Sequence, residues 1–237
     1  MSVISALVIE ECVRDSSLVS IPRPEIQLVV RFGPSAHGGL DAHVFGARTS
    51  VRRKRIRAGQ RTITARLHLC ASEVALGVPA LALAGRIVSL DELWGDAVTR
   101  PLLDRLAAAR TSADAATIIE CSLSARAGAS VAGSELAIAA AERLASSSVS
   151  AVADDLGVSE RHLRRVFRDA VGMSPKAFAK LARFHRALGT ARTNRRATWA
   201  GVAAATGYYD QAHLIDEFRT IAGVTPRALL AELGATR

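Results

Sequence analysis

The side chains in this 237-residue sequence with the richest recognition chemistry are arginines. Arg161, Arg164, Arg165 and Arg168 stand at i, i+3, i+4 and i+7, which places them on one face of a helix at about 100° per residue. A guanidinium is a planar fork of donors that fits a phosphate, or the O6/N7 edge of guanine, bidentately. Lys occurs only three times among 31 basic residues, and these oppose 22 acidic ones for a formal charge of +9. That balance suits a polyanion, either nucleic acid or an acidic membrane surface. Taken alone, four arginines on a helix are equally well read as a solvated face.

The elements that must position them are legible nearby. Leu163, Val166, Phe167 and Ala170 form the apolar back of the same segment, and Val149, Val152, Ala153 and Leu156 form one face of a shorter helix before it. Gly157 between them can adopt positive φ, and Ser159 can cap the second helix. A helix entered by a glycine turn, with a packed back and an arginine front, has the form of a helix-turn-helix recognition helix. The unit recurs. Val152, Ala153 and Gly157 return fifty positions later as Val202, Ala203 and Gly207, while Leu163, Phe167, Gly172 and Pro175 return fifty-one later as Leu214, Phe218, Gly223 and Pro226. The units are placed at about 149–172 and 199–223, and repetition weighs against the solvated-face reading.

With both units in order and spacing, residues 135–233 resemble the DNA-binding domain of the AraC/XylS transcriptional regulators. The residues that carry the likeness are Val152 to Phe167 and, more specifically, Gly207-Tyr208-Tyr209-Asp210-Gln211-Ala212-His213-Leu214-Ile215-Asp216-Glu217-Phe218, continuing to Gly223-Val224-Thr225-Pro226. The resemblance implies two recognition helices in successive major grooves, joined by a connecting helix that begins at Ser174-Pro175 and runs to about Thr190. It assigns base contacts to Arg161, Arg164 and Arg165 in the first unit and to Gln211, Ala212, Ile215 and Asp216 in the second. Ser159, His162, Arg168, Tyr209, His213 and Arg219, with Lys176 and Lys180 of the connector, complete the expected DNA-contacting set. Asp216 departs from the basic or polar residue usual there. It could accept from a cytosine amino group, and Ile215 could touch a thymine methyl; the alternative is that both face solvent. His162 and His213, at equivalent places, suit either phosphate contact or bracing of the turn.

Charge divides unevenly between the units. The 97 residues from 141 onward hold 15 basic and nine acidic residues, whereas Trp199 to Leu233 carries two basic against four acidic. Lys176 to Arg196 has seven positive charges and no acid. The connector, through Lys176, Lys180, Arg183 and Arg186, is therefore expected to anchor phosphates while the first unit dominates base readout.

The N-terminal part reads differently. Short β-branched and apolar runs at 26–30, 42–45 and 61–69, separated by Gly-containing turns, predict a small β unit over about 20–72. From Ser89 the pattern turns helical, with Leu90, Leu93 and Trp94, then Leu102, Leu103, Leu106 and Ala109 after Pro101. Gly46-Ala47-Arg48, Arg57-Ala58-Gly59-Gln60, Leu76-Gly77-Val78-Pro79 and Val88 to Gly95 resemble the N-terminal region of a short AraC subgroup common in actinobacteria, which implies a compact β domain that senses an effector or dimerises. Where that subgroup tends to have a Pro-Gly turn, this chain has Leu69-Cys70. In Arg52-Arg53-Lys54-Arg55-Ile56-Arg57, Arg53, Arg55 and Arg57 would share a strand face, either as a solvated edge or toward an anion.

The expected fold class is therefore α+β: a β-rich sensor or dimerisation domain with trailing helices over 1–130, then an all-α DNA-binding domain over 131–237. By composition and charge, Ser146-Ser147-Ser148 is the preferred domain boundary. Cys12, Cys70 and Cys121 are too scattered for a disulfide framework or a zinc knuckle, and none sits in the Pro-Cys-His-Arg setting of the alkyl-repair enzymes that share this DNA-binding domain. No Gly-rich phosphate loop, His-Glu-x-x-His or Gly-x-Ser-x-Gly occurs. No catalytic residue, metal site or cofactor is expected. Neither a secretory signal nor an apolar stretch of membrane length is present, so the chain is expected to be soluble and cytoplasmic. Double-stranded DNA is the expected partner. RNA polymerase, a small-molecule effector at the N-terminal domain and a second copy of the chain are further partners open to such a regulator, whether activator or repressor. The rival is an architectural DNA binder without sequence choice.

Overall fold

A computed structural model describes residues 3–126, 134–194 and 196–235. Its N-terminal part is built on strands β1 (Ile4–Cys12), β2 (Ser16–Ser20), β3 (Gln27–Phe32), β4 (Leu40–Phe45), β5 (Arg52–Ile56), β6 (Gln60–Leu67) and β7 (Ile87–Ser89). Five of them form an antiparallel sheet in the order β1-β6-β3-β4-β7, and β2 pairs with β5 in a separate two-stranded sheet. The alternation expected over 61–69 is realised: Ile63, Ala65 and Leu67 are fully buried, opposite Leu28 and Val30 of β3. The strand stops at Leu67 because the chain turns at Leu69-Cys70. There Cys70 takes φ +67°, a left-handed conformation unusual for a residue with a side chain.

The β unit begins earlier than expected, at Ile4. The reason is visible in β1: as an edge strand covered partly on each face it shows no clean two-residue alternation, so periodicity could not announce it. Helices α1 (Ser72–Leu76), α2 (Ala80–Leu83), α3 (Leu90–Trp94), α4 (Asp96–Ala107) and α5 (Ser112–Arg126) complete this part. Helix α4 starts five residues before Pro101 instead of at it. Leu102 and Leu106 of α4, with Ala115, Ile119 and Leu123 of α5, close the core over the sheet.

The C-terminal part is all helical: α6 (Ser134–Leu144), α7 (Val149–Asp155), α8 (Glu160–Val171), α9 (Pro175–Thr193), α10 (Trp199–Thr206), α11 (Gln211–Ala222) and α12 (Pro226–Ala235). The fold is thus an antiparallel β domain followed by a helical domain. The expected division at 130/131 falls outside the described residues. The triple serine lies within the helical part, between α6 and α7, where Ser148 caps α7.

Among the described residues the two parts touch at several places. His185 Nε2 of α9 lies 2.8 Å from the Pro22 carbonyl, and because that oxygen can only accept, Nε2 carries the proton. Burial lowers the pKa of this imidazole and favours the neutral ring. The Val51 N–H donates to Ile221 O at 2.8 Å, and Arg53 donates to Glu232 and to Ala222 O, both at 2.9 Å. Helix α2 packs against α8, where a Cβ at Gly172 would meet Ala80 O at 2.8 Å. The basic run in β5 is therefore not simply a solvated edge, since Arg53 clasps the ends of α11 and α12.

Candidate nucleic-acid interface

Each recognition helix is set by the same local chemistry. Ser159 caps α8 by accepting from the His162 N–H, and Asp210 caps α11 by accepting from the His213 N–H at 2.7 Å. Both helices end in a glycine at positive φ, Gly172 at 79° and Gly223 at 73°. Their backs are buried through equivalent residues, Leu163 and Phe167 in one and Leu214 and Phe218 in the other, all 0% exposed.

The connector α9 holds both. Phe167 meets Phe178 edge-on at 5.3 Å between centroids, and Phe218 meets Phe184 at 4.6 Å. The two seats are six residues apart, so on a regular helix they point about 120° away from each other and lie about 9 Å apart along the axis. One rigid helix thereby receives the repeat-equivalent phenylalanines on two faces. At 19 residues it is about 28 Å long, slightly more than the reading to Thr190 implies.

The outward faces differ in charge. On α8, Arg161, His162, Arg164, Arg165 and Arg168 are all exposed. Arg164 is held at rest by Glu160, with Nε–Oε2 3.1 Å and Nη2–Oε2 2.5 Å, and Arg165 Nη2 lies 3.4 Å from His162 Nδ1. On α11, Gln211, Ala212, His213, Asp216 and Arg219 are exposed, and Ile215 is half-buried against the core. Asp216 faces Arg219 at 3.6 Å, an exposed pair that offsets its charge without immobilising it. Tyr209, 93% exposed at the turn, is a large aromatic with no packing role. Between the two readings of the histidines, the geometry around His213 matches bracing: its ring packs edge-on to Tyr208, and its Nδ1 lies 3.5 Å from the Tyr209 N–H. Lys176 is exposed and Lys180 half-buried on α9.

Arg183, expected among the phosphate anchors, is held in an ion pair within the protein. Its guanidinium grips the buried Glu217 carboxylate, Nη2–Oε2 2.6 Å and Nε–Oε1 3.3 Å, and lies over the Tyr208 ring. Tyr208 donates its hydroxyl to the same carboxylate at 2.7 Å. The bond to Glu217 raises the Arg183 pKa despite partial burial, and burial raises that of Tyr208. This triad went unread in the sequence, although a signal exists. Glu217 stands fifty-one residues after Val166, so in the second unit a carboxylate occupies a core-facing place. A buried charge there requires a partner.

Other candidate chemistry is sparse. Burial pushes the Cys70 thiol up to about 12, Cys12 is half-buried and Cys121 exposed. Among the described residues no group of three His, Cys, Asp or Glu is arranged to hold a metal ion, and no helix is long and apolar enough to cross a membrane.

Three solved structures illustrate what the chain is similar to. The C-terminal domain of AraT, a response regulator from Geobacillus stearothermophilus, is 19% identical, covering 40% of this chain and 80% of its own, with a TM-score of 0.36. A DNA-binding transcriptional dual regulator from Escherichia coli K-12 is 20% identical over 43% of this chain and 92% of its own, also at 0.36. ToxT from Vibrio cholerae, solved bound to (E)-4-(8-methylnaphthalen-1-yl)but-3-enoic acid, is 8% identical over 96% of this chain and 97% of its own, at 0.48. A comparison with curated protein sequences finds no match. The family model of a helix-turn-helix domain matches residues 152–232, which span both units and the connector. Residues 152–232 therefore form a helix-turn-helix domain.

Proposed function

We propose that the chain recognises a specific DNA sequence by placing α8 and α11 in successive major grooves, with α8 supplying most of the base readout. The observation that carries this reading is the pairing of two equivalently capped helices, seated by Phe167 and Phe218 on one connector, with unequal outward chemistry. Helix α8 presents four exposed arginines. Helix α11 presents Gln211, Ala212, Ile215 and an Asp216 that phosphate would repel unless a cytosine amino group receives it. Ser159 contributes as a cap and Tyr209 as a contact at the groove edge. The division into a sensor or dimerisation domain over 1–130 and a DNA-binding domain over 131–237 belongs to the same proposal. The contacts of the N-terminal part with α8, α9, α11 and α12 support it, because an effector there would act on both units.

Arg164→Ala and Arg165→Ala are each expected to weaken binding to the selected site by about 1–3 kcal/mol and to blur one half-site. A randomised-site selection with wild type and both variants reads this directly. A second half-site as sharply defined as the first would overturn the unequal share, and unselective binding would favour an architectural protein. Lys176→Ala with Lys180→Ala should lower affinity on all DNA alike and flatten the plot of log affinity against log salt by about two units. A preserved slope would remove the connector from the phosphate contacts.

A further inference from the structure

We propose that Glu160 is a positioning residue for sequence readout: it holds the Arg164 guanidinium so that one fixed edge of the fork meets guanine. The inference deepens the reading of α8 as the main base-reading helix and rests on it. Glu160 is the first residue of α8, and Arg164 stands one turn later. Together with Arg161, Arg165 and Arg168 they line one open cleft, so the carboxylate stands on the outward face and not in the core.

The atoms in contact decide which edge is left. A guanidinium offers its N–H donors along a side edge, Nε with Nη2, and an end edge, Nη1 with Nη2. Glu160 Oε2 accepts from Nε at 3.1 Å and from Nη2 at 2.5 Å. The side edge is thereby filled, and the end edge remains to donate to the O6 and N7 of a guanine. A phosphate would gain less from this arginine than from a bare one, because the carboxylate already offsets its charge. Among the described residues, no other arginine on this face is in an ion pair. The contact of Arg165 with His162 is longer, at 3.4 Å, and brings no carboxylate.

Folding stability does not account for the acid. The Arg164 side chain is 50% exposed and that of Glu160 40%, and pairs so open to water add little to stability. The start of α8 is already secured by Ser159, whose side chain accepts from the His162 N–H. A carboxylate here also repels the polyanion that the neighbouring arginines attract. The repeat points the same way. Fifty-one residues on, Glu160 corresponds to Gln211 and Arg164 to Ile215, so the acid and the arginine are absent together. Presence as a pair in one unit and absence as a pair in the other match a carboxylate whose task is the arginine. Holding the fork before DNA arrives spares the ordering of a long side chain, which costs about fivefold in affinity for the base it reads.

The test is a randomised-site selection with the full chain, comparing wild type with Glu160→Ala, Glu160→Gln, Arg164→Ala and the double Ala variant. Arg164→Ala identifies the base pair concerned, as the one whose guanine preference it removes. At that pair Glu160→Ala should reduce the preference about fivefold and leave the other positions as they are. The freed arginine should steepen the plot of log affinity against log salt by about one unit. Glu160→Gln, which keeps an acceptor, should retain most of the preference, and Glu160→Ala should add nothing where Arg164 is already Ala. Unchanged selectivity in Glu160→Ala, or an even loss across the whole site, as a weakened helix start would give, overturns the proposal and spares the base-reading role of α8. So does a Gln variant as poor as the Ala one. An Arg164→Ala protein that selects the same site as wild type overturns both.

Discussion

Glu217→Ala is expected to remove about 3–5 kcal/mol of folding stability, since it leaves the Arg183 guanidinium and the Tyr208 hydroxyl without their shared acceptor. Glu217 is 5% exposed and tied to both groups at 2.6–2.7 Å, so its loss cannot be repaired by water without opening the second unit. Tyr208→Phe, which keeps the ring and deletes one bond, should cost about 1–2 kcal/mol. The joint change Arg183→Met with Glu217→Met should cost less than Glu217→Ala alone, because it removes both charges and leaves apolar volume in their place. Urea denaturation of the four proteins separates these outcomes. If Glu217→Ala unfolds at the wild-type midpoint, the triad holds nothing together. Because the triad joins α9 to α11 and to the turn before it, weakening it should also loosen the seat of the second recognition helix.

Gly46→Ala should be about as damaging, at about 3 kcal/mol or more, for a steric reason. The backbone leaving β4 runs beside residues 83–86: the Gly46 N–H donates to Arg86 O at 3.0 Å, and the Gly85 N–H donates to Ala47 O at 2.9 Å. A methyl group on Gly46 would fall inside the Leu83 carbonyl. Backbone cannot rotate aside as a side chain can, so α2 would have to leave the sheet and carry with it the contact between Ala80 and Gly172. Gly189→Ala is the control. It lies within α9 with open space where the methyl would go, and it should stabilise by about 0.5–1 kcal/mol. Thermal unfolding of both variants checks the pair; a Gly46→Ala protein as stable as wild type would show that the strand and α2 can separate freely.

Most of the helical domain is legible in residue spacing alone. Its two units, their glycine ends, the Ser159 and Ser174 caps and the apolar backs of the recognition helices all follow from spacing, because they are settled within one or two helical turns. The alternation of Ile63, Ala65 and Leu67 was equally local. Partnership between distant segments, by contrast, is set by packing. Arg183 is tied into the second unit's core because Glu217, 34 residues away, lies buried beside it. Arg53 spans to Glu232 across 179 residues. Gly46 is required because Leu83 crosses it, a closeness that no periodicity encodes. Strand β1 escaped notice because an edge strand, half covered on both faces, has no alternating pattern to read. Charge and hydropathy show which side chains need company, but packing alone supplies the company.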